Sequence, residues 1–205
     1  MYLGPRNSRY LFVASTRSNT VTRRVGPLIP GVRPFTINGA QTRAYTTATG
    51  FLGFQVSSLR TGRVLYTVPV KGFHVRRSLG TPSHGISLSP DSTELYVIDV
   101  PNSFVHVYRV TGVPQHIADI RLVHPMTGLE QPCGGDCGRA GWLQHSLDGR
   151  FVYVGDCGDV IDTRTRRVVA FLPALRNSRS QLEIDWVGDA PERTSSRSGI
   201  GRQAR

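Results

Sequence analysis

The stretch GTPSHGISLSPDSTELYVID (residues 80–99) contains the local pattern that decides the fold. It consists of a glycine-containing start, a short apolar strand, a turn built on Asp91, and a second strand around Tyr96. The pattern returns at residues 141–156, and a weaker copy occupies residues 31–48. Because an all-strand repeat of about 50 residues is typical of a β-propeller, the sequence predicts one propeller blade for each repeat.

Each repeat is predicted to supply up to four short antiparallel strands. The first strand alternates apolar residues with smaller or polar ones, as a strand with one buried face does. The second strand carries an aromatic column, and the third and fourth follow turns rich in Gly, Asn, Asp and Pro. The members of the aromatic column are Phe12, Tyr45, Tyr96 and Tyr153. The fold class is therefore predicted to be all-β.

The sequence predicts one domain over residues 1–187 and a flexible tail, rich in Arg, Ser and Gly, over residues 188–205. The first repeat starts inside its inner strand. The predicted blades cover about residues 1–30, 31–79, 80–140 and 141–181, and a closing strand covers residues 182–186.

The charge comes almost wholly from arginine. The net charge is +11, and Lys71 is the only lysine among 25 basic residues. Such a charge is typical of a face that binds nucleic acid or another polyanion. The arginines are scattered along the chain, which favours the alternative of many solvated basic loops, and nucleic acid is the less favoured partner.

The N-terminus lacks the basic and then apolar layout of a signal peptide, so the chain as it stands is expected in the cytoplasm. No apolar stretch approaches the roughly 18 residues of a membrane span.

Residues 80–99, together with NSFVHVY (residues 102–108), resemble the repeat of YVTN-type β-propellers. These proteins are related in fold to lactonase-like and amine-dehydrogenase propellers, and they are often exported. The resemblance implies four-stranded antiparallel blades, usually seven in a closed ring, of which about four are present in this chain. A truncated gene product, a self-closing four-bladed ring and a homodimer that shares one larger ring all stay open as explanations. The resemblance does not specify an activity, because the repeated residues are those that build blades.

Four residues are predicted to bind a ligand: Arg33, His84, Trp142 and His145. The first three lie at or near the start of inner strands, where a propeller faces its channel mouth. His145 aligns with Ile37 and Leu88 in an inward-facing column. The alternatives are that the first three only close turns between blades and that His145 is a hydrogen-bonded core residue.

The three cysteines, Cys133, Cys137 and Cys157, are an odd number, so at least one stays unpaired within the chain. A disulfide between Cys133 and Cys137, or from either to Cys157, is expected if the protein meets an oxidising compartment. A structural zinc site needs four ligands in a tetrahedral arrangement. The sequence does not show such a set, because the cysteines include only one closely spaced pair. No metal, no cofactor and no catalytic residue is predicted.

The sequence therefore predicts a non-catalytic propeller scaffold that binds a small ligand or a protein at the channel mouth, with a homo-oligomer as an open alternative. The competing functions are a lactonase-like hydrolase or an amine-dehydrogenase-like subunit, both from fold analogy alone, and polyanion binding through arginine.

Overall fold

A computed structural model describes residues 1–5, 7–73, 80–124, 126, 141–176, 178 and 181–196. In these residues the chain forms five antiparallel sheets in sequence order and no α-helix. No helix in this part of the chain is long and apolar enough to cross a membrane.

The five sheets are made of short strands. The first blade contains β1 (Tyr2–Leu3), β2 (Leu11–Ser15) and β3 (Thr20–Val25). The second contains β4 (Val32–Ile37), β5 (Arg43–Ala48), β6 (Phe51–Ser58) and β7 (Val64–Pro69). The third contains β8 (Ile86–Leu88), β9 (Glu94–Asp99), β10 (Phe104–Arg109) and β11 (Gln115–Arg121). The fourth contains β12 (Trp142–His145), β13 (Phe151–Gly155), β14 (Asp159–Asp162) and β15 (Arg167–Phe171). The C-terminal hairpin contains β16 (Leu182–Val187) and β17 (Ala190–Ser196).

The second, third and fourth blades are four-stranded meanders, in which each strand pairs with the next strand in sequence. The prediction of four-stranded antiparallel blades is confirmed for these three. The inner strands β4, β8 and β12 are neighbours, as expected for blades arranged around a common axis. In the part of the chain that the structure describes, the sheets are not closed into a ring.

In the third and fourth blades, an aspartate stabilises the turn between the first and second strands of the blade, as the sequence predicts. The Asp91 carboxylate accepts the backbone N–H of Thr93 (3.1 Å) and the hydroxyl of Ser89 (2.5 Å). In the fourth blade, Asp148 accepts the Arg150 N–H at 2.9 Å in the same way. A short carboxylate side chain can close such a turn because it reaches the backbone two residues ahead.

The core lies between the blades, and the second and third blades present apolar side chains on both faces. Tyr45 and Phe54 pack against the third blade in one cluster, and Tyr96 and Leu143 belong to the cluster between the third and fourth blades. Tyr153, from the same aromatic column, is only half-buried.

Residues 190–196 form strand β17, whereas the sequence analysis assigns them to a flexible tail. Val187 pairs with Ala190, so Gly188 and Asp189 make a two-residue turn. Gly188 has a φ of +59°, a conformation that glycine adopts without strain. Among the described residues, β16 pairs with β17 and with no other strand, so its predicted role as a ring-closing strand is not observed.

A buried polar residue recurs at one position of the third strand in the second, third and fourth blades. The position directly precedes the residue that pairs with the aromatic-column tyrosine. It is occupied by Gln55, His106 and Asp159, whose exposed fractions are 6%, 0% and 0%.

In the second and fourth blades, this residue accepts hydrogen bonds from the segment that enters its own blade. The Gln55 side-chain carbonyl accepts the Ile29 N–H at 2.7 Å. The Asp159 carboxylate accepts the Val123 N–H (2.7 Å), the His124 N–H (3.2 Å) and the His124 Nδ1–H (2.5 Å). The connectors that enter the second and fourth blades therefore satisfy backbone donors through one side chain buried in the next sheet.

We expect Asp159→Ala to lower the free energy of unfolding by about 3 kcal/mol, because two backbone N–H groups and an imidazole lose their acceptor. The matched control is Asp189→Ala, which removes an exposed carboxylate in the β16–β17 turn and should change stability by less than about 0.5 kcal/mol. Urea unfolding followed by circular dichroism measures both. Equal effects of the two substitutions would contradict the fastening role.

Candidate functional site

His84 and Trp142 lie together at the seam between the third and fourth blades. His84 comes two residues before β8, Trp142 begins β12, and both side chains are buried. Their rings meet edge to face with centroids 4.6 Å apart. Arg33 lies on the next inner strand, β4, where its carbonyl accepts the Thr47 hydroxyl at 2.5 Å. Ligand binding by these three residues stays a prediction.

His145 lies at the other end of β12 and links it to β8. The Ser87 hydroxyl oxygen accepts the His145 backbone N–H at 3.1 Å and lies 2.8 Å from Nδ1 of the ring. Two hydrogen bonds between Ser87 and His145 therefore join the inner strands of the third and fourth blades. The ring also packs edge to face on Tyr96, with centroids 4.8 Å apart.

Burial lowers the pKa of His145 to about 3, so the ring is neutral at physiological pH. The aligned positions in the second and third blades hold Ile37 and Leu88, which are also buried. The geometry therefore matches a hydrogen-bonded core histidine, the alternative that the sequence left open.

A cleft of about 330 Å³ lies beside His145, between the turns of the third and fourth blades. Asp91, Glu94 and Asp148 bring acidic groups to its walls. Each of them already has a local partner: the two aspartates close their turns, and Glu94 pairs with the Arg166 guanidinium at 2.8 Å. The cleft is therefore lined by groups with structural roles.

A chain of four ionisable side chains crosses the third blade from β9 to β11. Asp99 Oδ2 lies 3.1 Å from Nε2 of His106, and Nδ1 of the same ring lies 2.6 Å from Asp119 Oδ1. Nε2 of His116 lies 2.6 Å from the same Asp119 oxygen. The Asn102 amide holds the Asp99 carboxylate at 2.8 and 2.9 Å. The chain runs from a fully buried end at Asp99 to an exposed end at His116, whose side chain is 46% exposed.

The electrostatics of this cluster follow from its burial and its hydrogen bonds. Partial burial alone would raise the pKa of Asp119, but the hydrogen bonds from His106 and His116 bring it below the usual value. Burial, together with the charges of Asp119 and Asp99, raises the pKa of the neighbouring Tyr108 to about 12. The carboxylate stays ionised, and the phenol stays protonated.

A bulge in the β10–β11 hairpin brings the cluster together. His106 pairs with Asp119 and Tyr108 pairs with His116, with a register shift between Val107 and Tyr108. Residues 116 and 119 are three apart, so a regular strand would place them on opposite faces. The extra residue, Ile117, returns both side chains to one face. The sequence analysis missed this cluster because no feature of the sequence marks the bulge.

A groove of about 600 Å³ lies between the second and third blades, beside the exposed end of this chain. Its walls are largely apolar, with Leu65 and Val68 on β7 and Tyr108 and Val113 on the β10–β11 hairpin. Its polar groups include the ammonium of Lys71 and the imidazole of His116. Apolar walls with a few polar groups are typical of small-molecule sites of this size.

Cys157 is a free thiol, fully buried in the fourth blade. Burial raises its pKa to about 12, and Sγ donates to the His124 carbonyl at 3.0 Å. The thiol is therefore un-ionised and unreactive. Cys133 and Cys137 lie outside the described residues, so a disulfide between them stays a prediction.

No protein-family profile matches the chain, and no curated protein matches it. Among solved structures, the fold is similar to that of hydrazine synthase from Kuenenia stuttgartiensis, with a TM-score of 0.64 and 15% sequence identity. The match covers 83% of this chain and 45% of that chain, so this chain spans less than half the length of its structural relative. Hydrazine synthase contains a β-propeller. At this identity the likeness shows the fold alone, and the YVTN-type assignment stays a prediction.

We expect His145 to make the protein less stable in acid. Its folded pKa lies below the unfolded value of about 6.5, so the unfolded state binds more protons between about pH 6.5 and pH 3. Stability from this group is complete above about pH 6.5 and is lost as the pH falls, by about 2 kcal/mol at about pH 5.

Denaturant unfolding of the wild type and of His145→Gln at about pH 7.5 and pH 5 measures this difference. Glutamine keeps an acceptor for Ser87 but does not titrate, so the variant should lose less stability in acid. Parallel losses in the two proteins would contradict the assignment.

Proposed function

We propose that this protein is a non-catalytic β-propeller scaffold that binds a small amphipathic anion in the groove between the second and third blades. The observation that carries this proposal is the groove itself, with a volume of about 600 Å³ and mostly apolar walls. An aromatic or aliphatic body would displace water from Leu65, Val68 and Val113. A carboxylate on the same ligand would meet the Lys71 ammonium.

The carboxylates at or just after the end of the second strand support a binding role over catalysis, because their hydrogen bonds build the blade. Asp99 accepts hydrogen bonds from Asn102 and His106 and is fully buried. Asp156, at the same position in the fourth blade, accepts the Gly141 N–H at 3.0 Å. The lactonase-like and dehydrogenase-like alternatives rest on fold analogy, and folds of this type host many functions.

We expect aryl carboxylates from a fragment library to perturb the amide NMR signals of β7 and the β10–β11 hairpin. Aryl amines of the same shape should bind more weakly, because the groove presents a cation. Val113→Glu places a negative charge at the wall and should weaken carboxylate binding at least about tenfold.

Val169→Glu is the matched control, since Val113 and Val169 are 63% and 53% exposed and only Val113 lines the groove. Its affinity for the fragments should equal that of the wild type. Fragment signals confined to residues outside the groove, or equal weakening by both substitutions, would overturn the proposal.

A further inference from the structure

We propose that His106, His116 and Asp119 form a binding site for one divalent transition-metal ion of the zinc type. Each residue offers one ligand atom, and these atoms all lie within 4.8 Å of one another. Both imidazole nitrogens approach the same carboxylate oxygen, Asp119 Oδ1, at 2.6 Å. This site is additional to the proposed binding of an organic anion, and ion binding can be measured with no organic ligand present.

The buried histidine is oriented from behind. Asp99 accepts a hydrogen bond from Nε2 of His106, and Asn102 holds that carboxylate in place. A carboxylate behind a histidine fixes the tautomer and raises the basicity of the nitrogen that faces the metal. His106 therefore presents Nδ1 toward Asp119, and its ring packs against Phe104 and Phe73.

The ion would replace protons that the two imidazoles now share with Asp119. Zinc–nitrogen and zinc–oxygen bonds of about 2.0–2.1 Å at tetrahedral angles place neighbouring ligand atoms roughly 3.3 Å apart. The nitrogens must therefore withdraw from the carboxylate by less than about 1 Å. His116 can make this movement, since its side chain is 46% exposed. The fourth coordination position is available to water or to an anion in the groove that His116 lines.

The ligand types select the class of ion. Two imidazoles and one carboxylate suit zinc and the neighbouring divalent transition metals. Calcium and magnesium prefer sites made of oxygen ligands, which this cluster does not provide.

The second blade shows that fastening a blade does not require such a cluster. At the positions equivalent to His106 and Asp119 it holds Gln55 and Thr67, which form a single neutral hydrogen bond of 2.9 Å. A neutral pair is sufficient for the same structural role. The third blade instead gathers three ionisable groups, and each of them is a metal-ligand type.

The test is a titration of metal-free protein with zinc chloride by calorimetry, in a Cys133→Ser, Cys137→Ser background that removes two other candidate zinc ligands. We expect one ion per chain, with proton release on binding. His116→Gln and Asp119→Asn should each weaken binding at least about tenfold, because each removes a ligand atom. Both side chains are at least one-third exposed, so these variants should retain the fold.

His124→Gln is the matched control. His124 is 40% exposed and pairs with a carboxylate, Asp159, as His116 does, but it is not part of the three-ligand cluster. Its loss should leave zinc affinity unchanged. In the Cys133→Ser, Cys137→Ser protein with no further substitution, zinc should also shift the NMR signals of the His106 and His116 rings.

The absence of zinc binding, unchanged affinity in His116→Gln, or a His124→Gln effect as large as that of His116→Gln would each overturn the proposal. If His116→Gln or Asp119→Asn unfolds, the histidine ring signals of the Cys133→Ser, Cys137→Ser protein decide whether zinc binds at this site. Zinc-induced shifts at other histidines but not at His106 and His116 would also refute the site.

Discussion

The structure depends on the packing of neighbouring sheets against one another. A single four-stranded meander is too thin to bury its own apolar side chains, and in this protein the blades bury them for each other. Tyr45 of the second blade and Val97 of the third share one cluster, while Ile98, which directly follows Val97, belongs to the next. Because side chains alternate across a strand, adjacent residues of β9 supply two different cores. Removing the third blade would therefore expose apolar surface on the second and the fourth.

Burial on both faces creates a second constraint, which concerns the segments between blades. These connectors carry backbone N–H groups into an apolar environment, where unpaired donors are costly. Gln55 and Asp159 meet this cost by accepting backbone N–H groups from the incoming connector. At the same position, His106 packs against Phe73 of the connector and pairs with two carboxylates. In the third blade, this position therefore holds a buried member of a chain of ionisable groups.

The proposed groove and the proposed metal site are adjacent because one side chain belongs to both. His116 lines the groove and donates to Asp119. The apolar walls come from β7 of the second blade and from the hairpin of the third, so neither blade forms the groove alone. Sites between repeated units suit a propeller, because the frame stays constant while the outer strands vary.

The strands, the turns and the order of the blades could be predicted from the sequence. Period-2 alternation, the aromatic column around Tyr45 and Tyr96, and turn residues such as Asp91 are local signals, and each predicts its element without knowledge of the rest of the chain. Residues 190–196 differ from this pattern, because their place in a stretch rich in Arg, Ser and Gly predicts a flexible tail. Pairing with β16 makes that segment a strand, because hydrogen bonds to a neighbour can stabilise a polar strand.

The tertiary structure alone decided which side chains meet. His84 and Trp142 are 58 residues apart in the sequence and come into contact only because β8 and β12 are adjacent inner strands. His116 and Asp119 face the same side only because Ile117 is the extra residue of a bulge, and the sequence carries no mark of it. Local patterns determine where strands begin and end, whereas register and the contacts between blades depend on the whole chain, and these bring ligands and cavities together.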